Sequence, residues 1–190
     1  MKERSAYVEV MAAPAPMTAE ELQALHLPNK RTELVRGRLV VREPAGFLHG
    51  VIAARLCSRV EAHVRAHALG VVLAAETGFK LFSNPDTVRA PDVGFVRASR
   101  VPHPVPKNYP PMSPDLAVEV LSPDDRAGDV LEKIADWLNA GCELVWVIDP
   151  ERRLARVYRA DGTESLLGAN DDLRGEELLP GFTCKLSELL

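Results

Sequence analysis

Two acidic residues and one lysine carry most of the chemistry open to this chain. Asp92 lies in Arg89-Ala90-Pro91-Asp92-Val93-Gly94-Phe95-Val96, and Glu119 in Leu116-Ala117-Val118-Glu119-Val120-Leu121. Both segments read as hydrophobic strands, where an unpaired charge is strongly disfavoured. If the strands lie side by side, the carboxylates meet at one sheet edge and repel unless a cation lies between them. Oxygen-only ligands select a hard ion, Mg²⁺ or Mn²⁺, that keeps several waters. Asp129, Lys133 and Trp137 follow at four-residue steps and share one helix face. From that face the Lys133 side chain leans back over the sheet edge. An ion and an ammonium together suit phosphodiester hydrolysis, in which the ion lowers the pKa of the attacking water. The lysine would then stabilise the pentavalent phosphorane. Spacing alone equally allows two ordinary ion pairs, with Arg89 and Lys133 neutralising the carboxylates.

Further candidates surround this trio. Glu33 is expected either to enter the site as an acidic ligand or proton-handling group, or to pair with a surface arginine such as Arg31. His49 stands near a helix N-terminus, where neutral imidazole is favoured, and could position a water or phosphate. Glu76 ends a strand beside Gly78 and is a candidate third carboxylate, while Lys80 on the neighbouring strand is the reserve for the lysine role. Asp124 and Asp125 precede a helix and read as capping acids. Trp137 and Trp146 read as core.

The elements that must position these residues follow from periodicity. Thr18 with Glu21 makes a capping box opening a short helix through Leu25. Glu33 to Val41 reads as a hairpin hinged at Arg36-Gly37. Apolar residues at three- and four-residue steps make a long helix from Phe47 to Leu69, stopped at Gly70. Strands are expected at 71–75, 79–82 and, as one continuous run, 88–96. Ser99 to Pro114 holds six prolines among sixteen residues, which excludes helix or central strand. Leu116 to Leu121 is a strand, followed by a helix to about Ala140 closed by Gly141, and then the strand Leu144 to Ile148. Leu154–Tyr158 and Thr163–Leu167 form a hairpin over Asp161-Gly162. A short strand at 179–182 and a last helical turn finish the chain. This order implies an α/β fold: one mixed sheet flanked by helices, with a parallel crossover joining the strands at 116 and 144.

At 190 residues the chain suits one domain over 17–190, after a loose leader at 1–16. A net charge of −4 gives no global basic footprint for nucleic acid. Cys57, Cys142 and Cys184 lack metal-ligand spacing, as expected of free thiols in a reducing cytoplasm. No apolar run is long enough to predict a membrane span.

Pro91-Asp92 followed by Glu119 on the next strand resembles the PD-(D/E)XK nuclease superfamily. Several segments, in order, resemble more narrowly the Uma-type putative restriction endonuclease family. They are Glu33-Leu34-Val35-Arg36-Gly37, His49, Thr77-Gly78-Phe79, Arg89-Ala90-Pro91-Asp92-Val93 and Val118-Glu119-Val120-Leu121-Ser122-Pro123. Asp129 with Lys133, and Gly141 with Val145-Trp146-Val147-Ile148-Asp149-Pro150, complete the set. The resemblance runs from about Thr18 to the C-terminus. It implies a restriction-endonuclease-like fold, a Mg²⁺ or Mn²⁺ site at Asp92 and Glu119, cleavage of DNA, and possible pairing as a homodimer. Leu121 stands where the superfamily places a lysine, and Lys133 on the next helix matches the relocated lysine of the Uma-type proteins. The family tyrosine is replaced by Trp137, so its hydroxyl contact is expected to be lost. The leading expectation is thus a metal-dependent endonuclease with Asp92, Glu119, Lys133, Glu33 and His49 in the site. The alternatives are a catalytically inactive nucleic-acid or protein interaction module, and a hydrolase of small phosphodiesters.

Overall fold

A computed structural model describes residues 15–190, so the expected leader at 1–16 lies almost wholly outside the described residues. Helix α1 (Ala19–Ala24) opens with the expected capping box: the Thr18 side chain accepts from the Glu21 N–H, and Glu21 reaches back to the Thr18 N–H. Strands β1 (Arg31–Val35) and β2 (Arg38–Arg42) pair antiparallel around Arg36 and Gly37, whose φ values of 49° and 73° give a two-residue hairpin turn. Helix α2 spans Phe47–Ala66 and ends before the anticipated Leu69. Leu69 N–H returns to Val64 O and Ala68 N–H to Arg65 O, with Ala68 at φ 52°, so an alanine takes the left-handed closing position expected near Gly70. Gly70 already belongs to β3 (Gly70–Ala74).

β4 (Phe79–Phe82) and β5 (Thr87–Arg89) join β1 and β2 in a four-stranded sheet of order β2-β1-β5-β4. The run 88–96 is therefore not one strand. Ala90-Pro91-Asp92 leaves the small sheet, and β6 (Val93–Arg97) enters a larger one. Pro91 has no N–H for a ladder and restricts Ala90, which breaks the strand there. Two principal sheets replace the expected single one, and Asp92 stands where the chain passes between them.

β7 (Leu116–Val120), α3 (Ala127–Asn139), β8 (Leu144–Asp149), β9 (Leu154–Arg159) and β10 (Glu164–Gly168) complete the larger sheet and its crossover helix. Its order is β10-β9-β8-β7-β6-β3, parallel only at β7–β8. Alternation along β7 sends Leu116, Val118 and Val120 toward α2 residues Ile52, Leu56 and Val60. Ala117 faces the other way, with Val145 and Val147 of β8, toward Ile134 and Trp137 of α3. Glu119 shares the parity of Ala117 and so falls on the α3 side, where Lys133 is.

The two acids before α3 do not cap it. The cap position is Arg126, without a side-chain bond. Asp125 instead accepts from Ser122 N–H at 2.8 Å and pairs with Arg42 at 2.9 Å. Near the C-terminus, Gly181 at φ 80° turns the chain at the expected strand 179–182. The strand lies later, at β12 (Thr183–Lys185), paired with the unanticipated β11 (Asp172–Arg174). One 3₁₀ turn, Leu186–Glu188, follows. All three cysteines are free thiols. Among the described residues, no helix is long and apolar enough to cross a membrane.

Candidate functional site

The break at Pro91 and the parity of β7 bring the sequence candidates together. Asp92 N–H donates to Val118 O at 2.9 Å, fixing residue 92 against β7. Asp92 Oδ2 accepts from Val120 N–H at 2.7 Å and meets His49 Nε2 at 3.1 Å. Facing a carboxylate, Nε2 is the nitrogen that donates. Burial opposes ionisation of Asp92, but the His49 hydrogen bond, the Lys133 charge and the Val120 N–H outweigh it and hold its pKa below the ordinary value. Asp92 Oδ1 makes no hydrogen bond among the described residues, and Arg31 NH1 stands 3.8 Å from it.

Glu119 is bound on both oxygens. Lys133 Nζ donates to Oε2 at 2.8 Å, and Trp137 Nε1 donates to Oε1 at 2.8 Å. Lys133 reaches two further acceptors, Ala90 O at 2.9 Å and Glu33 Oε1 at 3.0 Å. Two of these contacts are hydrogen bonds and the third an ion pair, so three protein oxygens lie within 3.0 Å of the ammonium. Burial, joined by the Asp92 and Glu33 charges, pushes Glu119 up to about 7 despite Lys133. For Glu33, burial is overcome by Lys133, Arg89 and the Ala90 N–H, which bring it down to about 2. Burial disfavours the Lys133 ammonium, but Glu119, Glu33 and Asp92 more than compensate, so it is held charged well above the ordinary lysine range.

Arg89 and Asp136 complete the cluster. Arg89 NH1 donates to Glu33 Oε2 at 3.0 Å, while its Nε and NH2 grip Asp136 Oδ2 at 2.9 and 2.7 Å. The suggestion that Arg89 neutralises Asp92 is therefore corrected, since its guanidinium is taken by Glu33 and Asp136. The pairing of Glu33 with Arg31 is likewise replaced by Arg89 and Lys133. Asp136 was missed in the sequence, although an acid between Ile134 and Trp137 on the inward face of α3 was the available signal. Among the described residues, four buried carboxylates (Glu33, Asp92, Glu119 and Asp136) thus gather around the cations Arg89 and Lys133.

The remaining candidates divide. Lys80 cannot substitute for Lys133, because it pairs with Asp86 at 2.7 Å and lies 4.0 Å from Glu20. Glu76 is exposed at φ 68° and lines a cavity of about 210 Å³ together with Glu33, Asp92, Lys133 and Tyr109. Trp146 is fully buried in the core. Trp137 is buried too and brings no hydroxyl, but its indole N–H makes a polar contact with Glu119 that the core reading did not anticipate. Trp137→Phe is expected to leave a Glu119 oxygen without that donor and to lower stability by about 1–3 kcal/mol, read by urea denaturation. An unchanged midpoint would mean that the indole N–H contributes only packing.

The donor set admits a hard cation. Each carboxylate oxygen carries two lone pairs, so Asp92 and Glu119 keep acceptor capacity beyond their present bonds. The excess of buried negative charge, expressed in the raised Glu119, is relieved by added positive charge. Among the described residues no group of three or more His, Cys, Asp and Glu forms a ready metal cage. An ion here would therefore complete its shell largely with water, as Mg²⁺ does.

A family model described as Uma2, putative restriction endonuclease, matches residues 19–187. Five chains among solved structures also match. One is the crystal structure of a putative nuclease belonging to DUF820 from Anabaena variabilis ATCC 29413. It superposes with a TM-score of 0.79 over 92% of this chain and 97% of that one, at 21% identity. The likeness establishes a shared α/β fold. No curated protein matches the chain.

Proposed function

Because the chain belongs to the Uma2 family of putative restriction endonucleases, we propose that it hydrolyses DNA phosphodiester bonds with a divalent ion, Mg²⁺ or Mn²⁺, held by Asp92 and Glu119. The supporting observation is that these two carboxylates line one small cleft with Lys133, in a cluster whose buried acids outnumber its buried cations. When bound, the ion supplies a water of lowered pKa and a counter-charge for the phosphate. Asp92 is oriented by the Val120 N–H and His49, and Glu119 by Trp137 and Lys133. Glu33 anchors Lys133 and ties it to Arg89. Free thiols suit a reducing cytoplasm, and cutting both strands calls for two sites, as a two-fold homodimer provides.

A second reading, a non-catalytic nucleic-acid or protein interaction module on this fold, is favoured by one observation: Lys133 is already held by three protein oxygens within 3.0 Å. Plasmid nicking in Mg²⁺ or Mn²⁺ separates the two. The wild-type protein is expected to nick. Asp92→Ala is expected to lose more than the roughly 10–100-fold typical of removing a partner outside the metal shell. Equal nicking by both proteins would sink the nuclease reading. Calorimetric titration showing no ion binding would favour the module.

A further inference from the structure

A lysine that donates to Glu119 and Ala90 O and is ion-paired with Glu33 at 3.0 Å is already held by three protein oxygens, which makes it a poor partner for an incoming phosphate. Leu121 occupies the strand position where the superfamily lysine is expected, so that route offers no cation either. A phosphate drawn to this cleft must therefore meet another positive group.

Cations in and behind the cavities at this site differ in what already holds them. Lys30 is paired with Glu43, and Arg42, which lines the same cavities as Arg31, is committed through NH1 to an ion pair with Asp125 at 2.9 Å. Arg89 is buried with Nε, NH1 and NH2 all engaged. Arg31 spends only Nε, on Glu43 O at 3.2 Å. Its two terminal nitrogens make no hydrogen bond among the described residues, and NH1 stands 3.8 Å from Asp92 Oδ1, an electrostatic contact longer than a hydrogen bond. The side chain is 28% exposed, so solvent and ligand can reach it. Arg31 and Glu33 are two apart on β1 and share one face of the small sheet, which aims Arg31 at the same site. Arg31 lines two cavities that share Asp92 and Lys133, and a third that reaches His49.

We infer that Arg31, rather than Lys133, is the residue that contacts the scissile phosphate, while Lys133 is a positioning residue that holds Glu119 and Glu33. The inference rests on the nuclease reading above. A guanidinium presents paired N–H groups that match two phosphate oxygens, which a lysine point charge does not. Its proximity to Asp92 Oδ1 keeps that fork beside the proposed ion ligand. Binding of phosphate then exchanges a long contact with one carboxylate oxygen for two charge-assisted hydrogen bonds.

The test measures binding of a labelled DNA duplex without divalent ions, across a salt series, beside metal-dependent nicking of plasmid. Arg31→Gln is expected to weaken binding roughly tenfold or more. It should also lower the slope of log affinity against log salt by about 0.9, the signature of one lost phosphate contact. Lys133→Met, or Lys133→Arg if the methionine variant does not fold, is expected to keep the wild-type slope. Arg31→Lys is expected to restore the slope without restoring full nicking, because it returns the charge but not the fork. Circular dichroism melting of each variant checks that it is folded. A wild-type slope in Arg31→Gln, with the loss appearing in the Lys133 variant, overturns the assignment and leaves the nuclease reading standing. A wild-type protein that neither binds nor nicks DNA overturns both.

Discussion

Lys133→Met is expected to destabilise the protein by about 3–5 kcal/mol at pH 8, the range for removing one partner of a buried ion pair. Total stabilities near 5–15 kcal/mol are typical, so the loss is a large fraction of what holds a domain of this kind folded. The reason is that Lys133 is the common ion-pair partner of Glu119 at 2.8 Å and Glu33 at 3.0 Å, with only 16% of its side chain exposed. Methionine fills similar volume but leaves both acids facing each other and Asp92. Glu33 keeps Arg89 and the Ala90 N–H, whereas Glu119 keeps only Trp137. The deficit should therefore shrink on acidification, as Glu119 takes up a proton instead of holding an unpaired charge. Urea denaturation at pH 5 and pH 8 measures this. A deficit that is absent at pH 8, or one that grows toward pH 5, would mean that the acids do not depend on Lys133.

Glu119→Gln is expected to act in the opposite direction on stability while abolishing nicking. Glu119 ionises near 4.5 in an unfolded chain and at about 7 in the fold. A pKa raised on folding contributes stability that is complete below 4.5 and is lost as pH rises to about 7. That displacement corresponds to about 3 kcal/mol at pH 8. Glutamine keeps an acceptor for Trp137 and never ionises, so the variant should be more stable than wild type at pH 8, by up to about 3 kcal/mol. Near pH 4 the two should be nearly equal, since Glu119 is then itself neutral. Glu33 works with the opposite sign. Its folded pKa of about 2 contributes stability above 4.5 that is lost as pH falls toward 2. The two glutamates that flank Lys133 thus offset each other near neutrality, a balance suited to a site that gains a cation. Thermal melts of both proteins at pH 4.5 and pH 8 decide the matter. A Glu119→Gln protein that loses ground to wild type as pH rises would show that Glu119 is ionised without strain. Such a gain in stability with loss of function marks a residue kept for chemistry rather than for folding.

Wherever side-chain period and local chemistry suffice, the elements were legible in the residues. The Thr18 capping box, the Arg36-Gly37 turn and the alternation that isolates Glu119 among valines all depend on neighbours within a few positions. So does the shared face of Lys133 and Trp137. These local rules marked the five candidate residues, and the structure joins Glu33, Lys133 and Glu119 in one contact group and Asp92 with His49 in another, the second bonded to Val120 N–H beside Glu119.

What each of them touches was settled only by the packing of the two sheets. Pro91 splits an apparently continuous strand and sends Asp92 to Val120 and His49, 28 and 43 residues away along the chain. Arg89 finds Asp136 at a separation of 47 residues, and Lys80 is diverted to Asp86. The indole of Trp137 becomes a polar partner, and the ammonium of Lys133 is held by three oxygens from separate parts of the chain. Periodicity tells which face a side chain takes. Hydrogen-bond partners depend on which faces meet, a property of the assembled sheets and helices that no local window contains.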